Sequence, residues 1–194
     1  ADDAVTTDKL ANAINTDIAD KSFRNLVHNG AMIIDQRNCG TAYTGATAYV
    51  LDRWRSLNGG TDEEPTVNQH PLTSSDTGPW AKGFRQSLHV TNGNQTSGAQ
   101  SGSYISIQTR IEAQDMAQSG WDYTSASSYV TLSFWVKASV AQNYYGYLRT
   151  MDGTAQKYPF ETGSLSANTW TKITKTIPGH ANLQFDLNSE SGLQ

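Results

Sequence analysis

Three stretches of this chain combine flat aromatic rings with hydrogen-bonding side chains. In "SSDTGPWAKG", Trp80 sits in a Gly/Pro turn and fits no strand. In "QSGWDYTSAS", Trp121 and Tyr123 lie two residues apart. In "NYYGYLRT", a strand places Tyr145 and Tyr147 on one face with Arg149, and Tyr144 opposite beside Leu148. The chemistry these residues suit is saccharide binding. A sugar ring presents an apolar face of axial C–H bonds, and Trp or Tyr meets it as a flat, rigid partner at small entropic cost. Asn, Gln, Asp and Arg then bond the hydroxyls. Trp80, Trp121, Tyr123, Tyr145, Tyr147 and Arg149 are therefore the candidate ligand-binding residues. The competing reading is structural, because tryptophans in β-sandwiches are mostly core or edge covers. Trp54, Trp135 and Trp170 read that way, while Trp80 and Trp121 admit both readings.

Motifs for other chemistries are missing. There is no HExxH, GxSxG, Walker loop or CxxC. His28, His70, His89 and His180 show no ligand spacing and read as solvated or singly hydrogen-bonded. A glycosidase needs two carboxylates across a sugar bond. Asp35, Asp52, Glu112 and Asp115 exist, but sequence does not pair them, and Asp52 between Leu51 and Arg53 suits a local ion pair or turn contact. The acidic loop "GGTDEEPT" reads as a solvated turn that could lend oxygens to calcium. "NQT" at Asn94 is a glycosylation sequon, meaningful only in a eukaryotic secretory chain. Cys39 is the single cysteine, so no internal disulfide forms, and no basic cluster beside it argues for a reactive thiol. The expectation is a protein that is not an enzyme.

Bulk composition narrows the class. The 194 residues are 37% hydrophobic and only 16% charged, with 16 glycines and 5 tryptophans. Plentiful Ser, Thr, Asn, Gln and aromatics fit an extracellular all-β protein. A net charge of −4 argues against nucleic acid, whose phosphates demand a basic face. No apolar run approaches the roughly 20 residues that cross a bilayer, so membrane insertion is not expected, and the lack of a visible signal peptide admits a mature secreted chain or a particle released by lysis.

The elements that must position the candidates divide the chain in two. Residues 1–22 contain "AVTTDKLANAINTDIADKS", without Gly, Pro or aromatics. Thr6 or Thr7 can cap a helix there, and Leu10, Ile14 and Ile18 recur at steps of four as one narrow stripe. So short a helix is marginal alone. Its stripe packs either on the chain's own sandwich or against copies of itself around a symmetry axis, which makes Leu10, Ile14 and Ile18 the candidate oligomerisation residues. From residue 23 the pattern is strand and turn. About nine strands are expected, in "NLVHNGAMIIDQR", "TAYVLDRWRS", "GFRQSLHVT", "SYISIQTRIEA", "VTLSFWVKAS", "NYYGYLRTM", "KYPFET", "TWTKITKTI" and "NLQFDL". "RIEAQDMAQSG" has room for one helical turn. One-sided alternation excludes a parallel α/β fold. The expected fold is all-β, an antiparallel β-sandwich of jelly-roll type preceded by the short N-terminal helix. In "VTLSFWVKAS" the alternation leaves Trp135 on the polar face, covered by a neighbouring loop or a sister subunit.

The ordered set "NLVHNGAMIIDQRNCGTAYTG", "YVLDRW", "GFRQSLHVT", "IQTRIEAQDM", "SGWDYTSASSYVTLSFWVKAS" and "YPFETGSLSANTWTKITKTIPG" resembles a jelly-roll domain of bacteriophage tail-fibre and virion surface proteins, particularly marine and cyanobacterial ones. The same layout is similar to carbohydrate-binding jelly-roll modules attached to bacterial polysaccharide hydrolases. The leading "AVTTDKLANAINTDIADK" is similar to "VTTAKL" segments that precede globular heads in phage fibres. The resemblance covers nearly the whole chain. It implies a non-enzymatic, homotrimeric adhesin head on the virion surface. Other virion proteins would hold its N-terminal segment, and bacterial surface polysaccharide would be its ligand. It also implies a possible structural calcium near Asn29 and Asp35, and no other cofactor. One departure is that such domains continue beyond the point where this chain stops, so the sandwich over 23–194 is expected to lack its closing strands. Two other classes remain open at this level: a purely structural virion adaptor or spacer, and a binding module of a secreted polysaccharide hydrolase.

Overall fold

The computed structural model describes residues 25–194, so the expected helix over 1–22 and its Leu10, Ile14 and Ile18 stripe lie outside the described residues. The described chain is an all-β antiparallel sandwich with almost no helix. In chain order it comprises β1 (Tyr43–Thr44), β2 (Ala48–Leu51), β3 (Trp54–Gly59), β4 (Thr66–Pro71), β5 (Gln86–Thr91), β6 (Tyr104–Thr109) and β7 (Ile111–Glu112). The single helical turn α1 (Ala113–Ala117) falls where "RIEAQDMAQSG" leaves room for it. It is followed by β8 (Tyr129–Val136), β9 (Asn143–Arg149), β10 (Lys157–Ser164), β11 (Thr171–Pro178) and β12 (Ser191–Leu193).

Pairing is antiparallel throughout. β4 lies between β1 and β5, β3 lies between β2 and β6, and β9–β10, β8–β11 and β7–β12 form ladders. The β8–β11 ladder runs from Thr171 opposite Val136 to Pro178 opposite Tyr129, the longest unbroken register in the fold. Further bonds extend this set. Arg149 and Gln194 exchange both backbone hydrogen bonds at 2.8 and 2.9 Å, and Thr150 bridges Leu193. β12 is thus paired on both sides, by β7 and by the end of β9.

Four sequence expectations need correction. "NLVHNGAMIIDQR" is a turn rather than a strand. Asn29 adopts the left-handed conformation, with φ 53°, that Asn tolerates better than most residues. Its side chain bonds Ile34 N and O and Asp52 O, which closes the loop from within. "TAYVLDRWRS" is not one strand but a hairpin, reversed at Asp52–Arg53 with Arg53 at φ 72°. "NLQFDL" forms no strand; its Phe185 is a core plug. "PTVNQHP" is a strand, β4, which its two prolines and short run conceal.

The core is built where alternating strands turn their apolar register inward. Ile111, Met116, Phe185 and Leu193 form one buried cluster, with Leu148, Trp121 and Tyr123 packed against it. Burying each such aliphatic or aromatic side chain contributes about 1.5–3 kcal/mol. Val50, Leu51 and Val67 are fully buried in the β2–β3 and β4 region. Between β8 and β10, Phe134 meets Phe160 with ring centroids 6.1 Å apart.

The polar face of β8 has a protein cover. Gly78, at φ 98°, lies so close to the Trp135 ring that a Cβ there would stand 2.7 Å from it. The loop "SSDTGPW" is therefore folded over the ring, as the sequence reading of Trp135 expects. Asp76 fastens this loop. Its Oδ1 accepts the Trp170 indole N–H and the Lys137 ammonium, each at 2.9 Å, and its Oδ2 accepts the Thr73 backbone N–H at 3.0 Å. The Trp170 bond first, then Lys137, hold the Asp76 carboxyl well below the ordinary aspartate range.

Candidate functional site: a tyrosine face on the β9–β10 ladder

Strand period alone puts Asn143, Tyr145, Tyr147 and Arg149 on one face of β9. The register then sets their partners: Tyr145 opposite Glu161, Tyr147 opposite Pro159, and Arg149 opposite Lys157. The reverse face carries Tyr144, Gly146 and Leu148. There Phe160 lies across Gly146 so closely that a Cβ would stand 2.5 Å from its Cζ. Gly146 thus lets the Phe160 ring press on β9 from inside, and the odd-numbered tyrosines are left facing outward.

Their exposure is unusual for aromatics. Tyr145 is 80% exposed and Tyr147 is 52% exposed. A rise of about 3.4 Å per residue separates the two Cα atoms by about 7 Å, on the scale of one sugar ring. The Lys157 ammonium sits over the Tyr147 ring, 5.4 Å from its centroid. The Glu161 carboxylate accepts the Asn143 amide at 2.7 Å. The face therefore offers two phenol rings, a proline, an amide, an ammonium, a guanidinium and one carboxylate. Glycoside hydrolysis by the usual route needs two opposed carboxyl groups, and this face supplies only Glu161. Phenol rings can stack on a flat apolar face, and the amide and charged groups beside them can hydrogen-bond hydroxyls.

The six candidates separate in space. Tyr145, Tyr147 and Arg149 share the outward face of β9, as their spacing requires. Trp121 and Tyr123 pack against the core cluster instead. Tyr123 meets Phe185 edge-on at 4.9 Å, and Trp121 meets Tyr123 at 6.4 Å. The Trp121 indole nitrogen is buried without a hydrogen-bond partner. Trp80 is half-buried in the loop that Asp76 fastens, at the start of a 3-10 turn. The Arg85 guanidinium covers one face of its ring at 3.8 Å and donates to Trp80 O at 3.0 Å. Trp54 donates its indole N–H to Asn29 O at 3.0 Å, tying β3 to the opening turn.

Lys157, Glu161 and Asn143 are the site residues that sequence reasoning missed. "KYPFET" is legible as a strand, but only the cross-strand register carries its residues to the tyrosines.

The side chains considered for calcium accept backbone hydrogen bonds. Asp35 accepts the Asn38 and Gly40 backbone N–H groups at 3.1 and 2.7 Å, and Asn29 Oδ1 accepts Ile34 N at 3.0 Å. These side chains close hydrogen-bonded turns. In the acidic loop, Asp62 accepts from the Ser97 backbone and hydroxyl, and Glu63 accepts from Asn94 N. Among the described residues no three His, Cys, Asp or Glu side chains gather as a metal site. Asp52 makes a turn contact, accepting Gln36 N at 2.7 Å.

No family model, no curated protein and no solved structure matches this chain.

Proposed function

We propose that this chain is a non-catalytic glycan-binding protein of a bacteriophage tail fibre or virion surface. In this reading the outward face of β9 and β10 stacks on a bacterial surface polysaccharide. The observation that carries the binding role is the pair Tyr145 and Tyr147, exposed side by side and ringed by Lys157, Glu161, Asn143 and Arg149. Exposed aromatics rimmed by polar groups are a common mark of a contact surface. The virion assignment rests on the resemblance of the ordered strand motifs. A homotrimer would present three such faces, so weak binding per site would be strengthened by avidity.

The experiment is a glycan array probed with wild type, Tyr145→Ala and Tyr147→Ala. The expected result is binding by wild type that both substitutions weaken. Binding unchanged in both variants would remove the site. A wild-type protein that binds no glycan would favour a structural spacer.

A further inference from the structure

A second feature lies where the β7–β12 ladder meets the turn between β2 and β3. A cavity of about 300 Å³ is lined by Arg37, Arg53, Arg110, Glu112 and Tyr49. Ser189 and Ser191 complete its lining. The chain as a whole is acidic, yet three of its seven arginines line this cavity and a fourth, Arg55, lies over the ring of Tyr49 in its wall.

The charges in the cavity do not cancel. Glu112 Oε1 accepts from Arg53 at 3.1 Å, and its Oε2 accepts from Gln114 at 2.9 Å. Glu112 is therefore consumed by Arg53. Arg37 and Arg110 have no carboxylate partner among the described residues. Arg37 instead lies over the Tyr49 ring at 5.0 Å, with Arg55 at 5.3 Å on the same ring. The Nε of Arg110 is buried and bonds nothing. A buried donor without an acceptor is costly, and an arginine fork fits the oxygens of a carboxylate, sulfate or phosphate.

The register connects this cavity to the tyrosine face. Ile111, Leu193 and Thr150 are buried, so Glu112 and the neighbouring Arg110 face outward. Gln108 reaches Gln194 through its side chain at 2.7 Å, and Gln194 pairs with Arg149 in the backbone. β7, β12 and β9 lie side by side, so two strand spacings, about 10 Å across, separate the cavity's strand from β9, and Tyr147 and Tyr145 lie a further ~7 and ~14 Å along β9 from Arg149, a span of a few sugar rings.

We propose that the arginine cavity is a subsite for the oxyanion of an acidic saccharide whose neighbouring rings stack on Tyr145 and Tyr147. This rests on the glycan-binding reading and adds the ligand class: a uronate-bearing or sulfated chain rather than a neutral one. The test is calorimetric titration of the whole chain with four probes: a polyuronate oligomer, a sulfated oligosaccharide, a neutral glucan oligomer of equal length, and inorganic phosphate. Arg37→Ala, in the exposed turn, and Arg110→Gln serve as cavity variants, with Lys172→Ala as a remote cation control and a melting curve for each. One of the two acidic oligosaccharides is expected to bind at least ten-fold tighter than the neutral one, and the winner names the oxyanion. Either cavity variant should abolish that preference, Lys172→Ala should keep it, and added salt should weaken it. Equal affinity for neutral and acidic oligomers overturns the subsite and leaves the tyrosine face standing. Acidic binding that survives both cavity variants also overturns it. Phosphate bound as tightly as the oligomers overturns the saccharide assignment. If no saccharide binds at all, both readings fall.

Discussion

The Asp76 carboxylate accepts the Trp170 indole N–H at 2.9 Å, across 94 residues of sequence. The same oxygen takes the Lys137 ammonium, which sits over the Trp170 ring at 5.0 Å. One short acidic side chain thus fixes a long loop onto the β8–β11 ladder and seats Gly78 on Trp135. Asp76→Ala removes these bonds together and leaves the half-buried Trp170 N–H unpaired. The expected loss is about 2–3 kcal/mol, read by urea denaturation. Unchanged stability would mean the loop is held by Trp135 packing alone.

The sign of the pH effect follows from the same contact. Asp76 titrates below its ordinary 3.8 in the folded chain, so the unfolded chain binds the proton more readily. The stabilisation is complete above about pH 4 and is lost as pH falls through the lower folded value. Asp62 moves in the same direction through its Ser97 bonds. Asp76→Asn should flatten the acid limb of a stability-against-pH curve. A limb as steep as that of wild type would assign acid sensitivity to other carboxylates.

His89 gives a second, milder pH dependence. Burial, then the neighbouring His70 and Lys137, lower its pKa, which favours the neutral ring in the fold. Its ring centroid is 5.1 Å from that of His70. Its contribution is present above the ordinary value of 6.5 and fades as pH falls below it. His89→Gln should remove the part of the stability slope between pH 7 and pH 5 that wild type shows, measured by thermal melts across that range.

Gly146 is where the Phe160 ring presses closest on β9. Gly146→Ala drives a methyl into Phe160 and should cost about 1–3 kcal/mol. Phe160→Leu in the same chain should recover part of that loss, giving a coupling of at least about 0.5 kcal/mol in a double-mutant cycle. Additive effects would show that the two residues do not bear on each other.

Stability and binding should separate along the sequence. Tyr145→Ala and Tyr147→Ala remove exposed rings and should change stability by less than about 0.5 kcal/mol. Each should weaken glycan binding by about 1–2 kcal/mol, the range of a contact residue that matters. Met116→Ala empties a fully buried site and should cost about 2–5 kcal/mol. Trp121→Phe deletes an unpartnered buried N–H and should leave glycan binding intact; a loss of binding would return Trp121 to the ligand site.

Local pattern alone determined the all-β class, most of the strands from β5 onward, the shared face of Tyr145 and Tyr147, and the need for a cover over Trp135. Each follows from the two-residue period of a strand, which needs no knowledge of neighbours. The same local logic failed at "NLVHNGAMIIDQR" and "NLQFDL". Apolar residues there serve a turn closed by the Asn29 side chain and a single core plug, Phe185. Only the tertiary structure decided that Trp121 belongs to the core cluster, that Lys157 and Glu161 flank the tyrosines, and that Arg37, Arg53 and Arg110 meet in one cavity. Those relations depend on strand register and on chain segments far apart in sequence. Register is fixed by the packing of whole faces rather than by any short run of residues.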